Sequence, residues 1–533
     1  FEQTGAADLV WDWDVSPILE NKDFFNQEIQ NYLSEFNQAE VVWETTRGCP
    51  YSCTFCDWGG GIGQKIRQKD MEIVKAEIDF LVSAGITGIQ NTDANFGILK
   101  RDVEIAEYIA SKVKSNNSLR MFSYTPAKNQ NDRSVEIATV LKDANILHWH
   151  GLGLQDTHTD VLSAIKRSNI KPEKQIDLAK KLRDKGIPVR ADWIVGMPEQ
   201  TPDTIVESMC SLWENNLHVR LTYHPCQILP NAEMGNEAYM KRYGMKTIKR
   251  PMHSNQKSAE HLTRRSDGHY DDNVTSLGDY CIESNTFSNE DWIHMMIEGA
   301  YVIALHGTGL LQYYAIFARY YLGMSYADFY KMVLRDIYRH EEPFVNDYNK
   351  LKEHYYQWMD PNNPKYCIEL PIPAGIEHEN LDVLCYREMY QAYYMFVNKH
   401  ILIDKVTEHL VRKFPEAEKE IRDIAIYQDK ITPDLDYDMD EGRYIDCHYD
   451  WLNYFKPIEP GFTGDLTLNE LPSNTQYYVG DKRISSEGSS HKSKQLDWNK
   501  HENIRVKKHI LYFRVANWWL SNRFFSDIKV VSK

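Results

Sequence analysis

The sequence predicts an α/β protein, a partial (β/α)6 barrel followed by a mostly α-helical C-terminal domain. Three observations carry this. From Val41 onward, short apolar strand candidates alternate with amphipathic helices, the sign of a parallel sheet or barrel. Six such units fill about 200 residues, too few to close an eightfold barrel and suited to an open three-quarter barrel. Past residue 275 the rhythm changes to long helices rich in aromatic residues.

The chain as a whole sets the bounds. A length of 533 residues suggests two or three domains. Apolar content of 42% and charged content of 26% are those of an ordinary globular protein. A net charge of −16 argues against a general nucleic-acid binder, which shows a basic footprint. Nine cysteines are an odd number, and Cys210, Cys226, Cys281, Cys367, Cys385 and Cys447 are far apart. That is no disulfide framework, and the simplest inference is a reduced, cytoplasmic setting. No signal-peptide pattern is present. The longest apolar run, 299–317, holds His306, Gln312 and internal glycines, and it reads as a buried helix pair rather than a membrane span. The chain begins at Phe1 with no Met, as a piece of a longer protein would.

Residues 1–40 form a lead-in, with an acidic Trp-containing segment, a turn at Ser16-Pro17 and a helix over about 26–36. The partial barrel follows over 41–244. Its strands are expected at 41–46, 88–92, 120–124, 146–155, 189–195 and 219–229. Helices are expected over 71–84, 102–114, 133–141 and 160–165, and Thr201 is the N-cap of another, with Pro202 at its first position. A charged stretch broken by Pro251 and Gly268 marks a junction over 245–275. The helical domain then runs over 276–533. Ser288 and Asp291 form a helix start, with Phe287 and Trp292 at staple positions. Further helices are expected over 326–339, 381–411 and 416–426, with a polar loop at 482–494. A basic, aromatic tail over 504–533 is expected to pack back on its own domain; contact with a partner or a membrane surface is the alternative.

The chemistry begins after the first strand. Cys49, Cys53 and Cys56 lie in C-x3-C-x2-C spacing within one short stretch. Three thiolates in one loop can hold three irons of a [4Fe–4S] cube and leave the fourth iron open. The alternatives are a zinc site completed by a distant His or Cys, and free thiols. The glycines 59–61 and 63 allow close backbone approach to a cluster, or simply a flexible loop.

Ligands in parallel α/β folds sit at the C-terminal ends of strands. On the fourth strand Leu147, Trp149, Gly151, Gly153 and Gln155 share a face by the period of two, giving a hollow with one terminal amide. His148 and His150 fall on the other face and read as packing residues. Arg167, after the following helix, suits a carboxylate partner. Asp192 shares a face with Arg190 and Ile194, and its carboxylate needs either ligand hydroxyls or Arg190 as partner. His224 and Cys226, near the end of the sixth strand, either face a substrate or serve the structure.

The cysteine motif with Phe55 before its last cysteine, preceded by Arg47-Gly48, resembles the signature of the radical S-adenosylmethionine (SAM) superfamily. Gly153-Leu154-Gln155, Ala164-Ile165-Lys166-Arg167, Asp192 through Pro198 and Leu229 through Ala232 match in order, so the resemblance spans about 35–240. It implies that Cys49, Cys53 and Cys56 ligate [4Fe–4S], with SAM on the fourth iron. It also implies that Gln155 and Asp192 face the nucleoside and ribose, that Arg167 faces the SAM carboxylate, and that Phe55 contributes a backbone contact near the adenine. Two positions depart from the pattern. Asp93 stands in place of a Gly-Gly-Glu-like element for the SAM amino group, and Ser123 stands where some members have a carboxylate.

The implied reaction is reductive cleavage of SAM to methionine and a 5′-deoxyadenosyl radical that abstracts a hydrogen atom. It implies an external one-electron reductant of flavodoxin or ferredoxin type and a small-molecule or peptide substrate. Asp93 through Ile98 with Arg101-Asp102, the stretch Glu283 through Ser288, and the Ser16-Pro17 lead-in resemble the cobalamin-dependent branch, whose cobalamin domain normally lies ahead of this point and has no room in this chain. With cobalamin, the expectation is methyl transfer to an unactivated centre or a ring-forming rearrangement. Without it, the expectation is oxidation, epimerisation or another rearrangement. A binding protein that holds Fe–S or zinc without catalysis is the reading from outside the enzymes.

Overall fold

In the computed structural model Ser16 opens the first helix, Pro17–Glu20, its hydroxyl accepting the Leu19 amide with Pro17 at the first position. The structure describes residues 15–60, 64–115, 118–129, 132–251, 277–362, 391, 394–432, 443–479 and 528–533. The acidic Trp segment, the polar loop at 482–494 and nearly all of the tail lie outside these, as do 381–390 of an expected helix. The chain divides into two compact units. The first comprises Phe1–Leu154, Ile165–Arg190 and Leu229–Tyr239; the second comprises Gln155–Ala164, Ala191–Ile228 and Met240–Lys533.

The first unit is built on a parallel sheet. Strand β1 (Glu40–Trp43) pairs with β4 (Gly88–Asn91), which pairs with β5 (Met121–Ser123). Trp43 stands opposite Asn91, and Gln90 opposite Ser123. Helices Met71–Ser83, Arg101–Ser115 and Asp132–Asp143 follow these strands. Asp70 caps the first of them by accepting the Glu72 amide, and Val74, Ile78, Leu81 and Val82 make its buried stripe.

The first strand is shorter than its apolar run suggests. Asp93 captures the Thr45 and Thr46 amides at 2.6 and 3.0 Å, so the chain leaves the parallel sheet after Trp43. Thr46–Arg47 (β2) then pairs antiparallel with Arg67–Gln68 (β3). The fourth strand begins only at His150 (β6, His150–Gln155). The helix Pro172–Asp184 was not expected; its Lys- and Asp-rich sequence hides a narrow buried stripe of Gln175, Leu178, Ala179 and Leu182.

Strand β7 (Val189–Val195), in the second unit from Ala191 on, keeps the expected bounds, and its residues alternate between buried and half-buried. It neighbours β8 (Arg220–Pro225). The sixth expected strand is broken at Pro225, which has no amide to donate. Cys226 bridges the break: its N–H donates to Val195 O at 2.7 Å and its carbonyl accepts from Cys281 N at 2.9 Å. The chain thereby passes into an antiparallel sheet of β10 (Lys246–Pro251), β11 (Leu277–Glu283) and β9 (Gln227–Ile228), in that order.

Helices dominate the rest of this unit. Ser288 caps Asn289–Gly307 through a full capping box with Asp291, and this helix is buried almost throughout. Its partner Gln312–Tyr320 completes the expected helix pair. Among the described residues no helix is long and apolar enough to cross a membrane. The helix expected over 326–339 is α-helical only over Tyr326–Lys331 and continues as a π-helix over Met332–Tyr338. There Arg335 and Arg339 pair with the buried Glu298. Helices Lys399–Lys413 and Glu418–Ile431 pack together. Ile528–Ser532 (β14) lies antiparallel to Thr475–Val479 (β13), which pairs with Arg443–Ile445 (β12).

Candidate cluster-binding site

Three fastenings shape the loop that carries Cys49, Cys53 and Cys56. At its start, the fully buried Asp93 also accepts the Thr45 hydroxyl, and the Arg101 guanidinium donates to Lys69 O at 2.5 Å and Thr45 O at 3.0 Å. In its middle, buried Thr54 donates its N–H to Ile165 O at 3.1 Å, accepts the Met234 amide at 2.7 Å and shares a hydroxyl bond with Tyr239 at 3.1 Å. At its end, Gly59 lies so close to the Tyr51 carbonyl that a Cβ would overlap its oxygen. Only backbone fits there, so this glycine of the run is needed for close approach; 61–63 lie outside the described residues.

Cys49 is buried, and Cys53 and Cys56 are half-buried. Burial raises the Cys56 thiol, and negative charge on Cys49 and Cys53 raises it further, so both lie within electrostatic reach of Cys56. Hydrogen-bond donors and cations surround them. Asn95 Nδ2 donates to Cys49 Sγ at 3.2 Å. Lys128 Nζ stands 3.9 Å from Cys53 Sγ and 4.5 Å from the centre of the Tyr51 ring. Arg167 Nη1 reaches Cys53 Sγ at 3.7 Å, Nη2 donates to Gly153 O, and Nε donates to Asn169 Oδ1 at 3.0 Å. Asn169 in turn holds Leu154 O at 3.1 Å. Burial lowers the pKa of the Arg167 guanidinium, and the charge of Cys53 opposes that shift.

This donor set fits an iron–sulfur cluster better than a single ion. Among the described residues no group of three or more His, Cys, Asp or Glu is gathered around one metal position. In a cluster each thiolate takes its own iron, so the sulfurs need not converge on a point. N–H donors on cluster sulfurs are the usual outer partners.

The other anticipated residues fall as follows. Phe55 is half-buried between Thr54 and Cys56, and half-buried Ser123 ends β5. Asp93 is corrected: three donors occupy its two oxygens and no surface remains, so it shapes the loop instead of holding an amino group. Arg190 lies over the Trp149 ring at 3.7 Å. His150 is fully buried, meets Tyr124 OH at 3.1 Å and is pushed down to about 4 by burial, in keeping with a packing role.

In the second unit Gln155 ends β6 with φ of 69°, and Asp192 accepts the Thr222 hydroxyl. His224 is exposed, and Cys226 is buried with its thiol raised by burial. Sequence reasoning missed the buried Asp156. It accepts from Thr157 N and His158 N, each at 2.7 Å, from Ser208 Oγ at 2.8 Å and from Gln200 Nε2 at 2.7 Å. Gln200 Oε1 takes the Gly196 and Met197 amides, so one polar network fixes the turns after Gln155 and after β7. Asn95 and Lys128 as partners of the loop, and Asn169 as the partner of Arg167, were also missed. For Asn95 the signal was its place at a strand end; for the other two there was none.

Residues 43–210 match the family model of the Radical SAM superfamily. The chain is 27% identical over 462 residues to 2-(S-pantetheinyl)-carbapenam-3-carboxylate methyltransferase of Streptantibioticus cattleyicolor, covering 84% of this chain and 64% of that protein. It is 26% identical over 431 residues to the cobalamin-dependent radical SAM methyltransferase TokK of Streptomyces tokunonensis, covering 78% and 60%. Among solved structures, the radical SAM methyltransferase TsrM of Kitasatospora setae aligns at 18% identity over 47% of this chain and 50% of that one, with a TM-score of 0.35. Residues 43–210 carry the match to the radical SAM superfamily, whose cofactors are a [4Fe–4S] cluster and SAM. The three-cysteine loop and the strands β4 and β5 lie within these matched residues. The chain spans less than two thirds of the length of the two methyltransferases.

Proposed function

We propose that this chain is the radical SAM part, arranged as a partial (β/α)6 barrel with a helical C-terminal domain, of a cobalamin-linked methyltransferase acting on an unactivated centre. The observation that carries the radical SAM chemistry is the pinned loop, with Cys49 and Cys53 in electrostatic reach of Cys56 and with Asn95, Lys128 and Arg167 on the first two sulfurs. Alignment of most of the chain with two methyltransferases, one of them cobalamin-dependent, supports methyl transfer and cobalamin.

Cys49, Cys53 and Cys56 would hold the cluster, which supplies the electron for SAM cleavage. Arg167, half-buried beside Cys53, is the planar cation suited to pair with the SAM carboxylate. Phe55 offers backbone from within the loop, and Ser123 a hydroxyl from the end of β5. Gln155 and Asp192 keep the nucleoside and ribose roles implied by the motif. Asp93 acts at one remove, through Thr45 and Thr46. The electron comes from an external one-electron donor.

Anaerobic reconstitution with iron and sulfide, then incubation with SAM and dithionite, tests this. Iron uptake and release of 5′-deoxyadenosine are expected, and Cys53→Ala abolishes both. A wild-type chain that fills with cluster and leaves SAM intact refutes the catalytic reading, and methyl transfer that needs no added cobalamin refutes the cobalamin link.

A further inference from the structure

We propose that Asn95 and Lys128 form a positioning pair that raises the reduction potential of the cluster held by Cys49, Cys53 and Cys56; this rests on the function proposed above. The two residues sit on stretches that follow β4 and β5, zipped together by Phe96 N donating to Thr125 O at 2.9 Å and Ala127 N donating to Phe96 O at 3.0 Å. Phe96 and Pro126 form a parallel bridge between them. Asn95 Oδ1 accepts the Lys128 amide at 3.1 Å. A backbone N–H can face only the oxygen of the side-chain amide, so Nδ2 is directed to Cys49 Sγ at 3.2 Å. The same bond fixes the backbone from which Lys128 returns to Cys53, its ammonium between that sulfur and the Tyr51 ring.

One buried amide therefore places a hydrogen-bond donor on one thiolate and orients a cation toward another. Reduction moves one electron from the external donor into the cluster and leaves the cluster with its thiolates one charge more negative. An N–H and an ammonium on the sulfurs stabilise that more negative state and favour reduction. Arg167 also touches Cys53, but its guanidinium is shared with Gly153 O and Asn169.

The test is an EPR-monitored redox titration of the reconstituted chain with dithionite, with iron counted separately. In Lys128→Gln the ratio of reduced to oxidised cluster at a fixed solution potential is expected to fall about tenfold, which is ~59 mV for a one-electron couple. Lys128→Arg restores most of it, and Asn95→Ala lowers the ratio in the same direction. A merely structural role would reduce iron content while leaving the midpoint of the retained clusters at the wild-type value, and that result overturns the proposal. If Asn95→Ala takes up no iron, the two Lys128 variants decide, because the tie to Asn95 uses the backbone of Lys128 and not its side chain. A wild type without SAM cleavage sinks the underlying function; wild-type cleavage with unshifted midpoints in Lys128→Gln sinks this proposal alone.

Discussion

Replacing Asp102 by Asn should stabilise the protein at neutral pH and leave it nearly unchanged at pH 4. Asp102 is almost fully buried at the start of helix Arg101–Ser115, and one of its oxygens accepts the Gly97 and Leu99 amides at 2.7 and 3.0 Å. Its other oxygen has no hydrogen-bond partner among the described residues. Burial outweighs the two backbone bonds and pushes the carboxyl from its ordinary 3.8 up to about 6. At ~1.36 kcal/mol per pH unit, that difference corresponds to ~3 kcal/mol. The native state keeps its proton in a range where the unfolded chain has released it. The stabilisation is therefore whole below 3.8 and is lost as pH rises through about 6. Asparagine keeps an acceptor for both amides and never ionises. Urea unfolding of the wild type and Asp102→Asn, compared at each pH from 4 to 7, isolates this group, because other titrations cancel in the difference. The gap should open in favour of the variant across that window and level off at ~3 kcal/mol. A gap that stays flat, or that favours the wild type at pH 7, would show that the two backbone bonds outweigh burial.

Asp93→Ala leaves two buried backbone amides and a buried hydroxyl without their acceptor, at ~1–3 kcal/mol each. A loss of ~3–6 kcal/mol in urea unfolding is expected, with Asp93→Asn much milder; a loss under ~1 kcal/mol for the alanine would mean that the first strand does not depend on this bracket. Gly59→Ala forces a methyl group onto the Tyr51 carbonyl and should cut iron uptake severalfold while the unfolding midpoint changes little. Normal iron content in that variant would show that the close approach is not required.

The readable parts of this fold were local. Thr201 with Pro202, and Ser288 with Asp291, announce helix starts through side chains three residues or fewer apart, and both caps are present. The alternation in β7 marks its ends because each second residue is buried. The three cysteines are legible because they share one loop. Their surroundings are not, since Asn95 and Lys128 come from the ends of parallel strands, each more than 40 residues from the cysteine it approaches. Nothing in the pattern around Asp93 separates a ligand-facing carboxylate from one that bonds to the preceding strand end. The antiparallel sheet of β9, β10 and β11 was missed because its pairing depends on segments that meet only after Cys226 changes sheets.

Thr54 bears on how the cofactor centre is assembled. It stands between two of the cysteines, and protein segments more than 100 residues away grip it by N–H, carbonyl and hydroxyl. These bonds take part of the loop's conformational entropy out at folding. Whatever the loop binds, less ordering then remains to be done at the moment of binding.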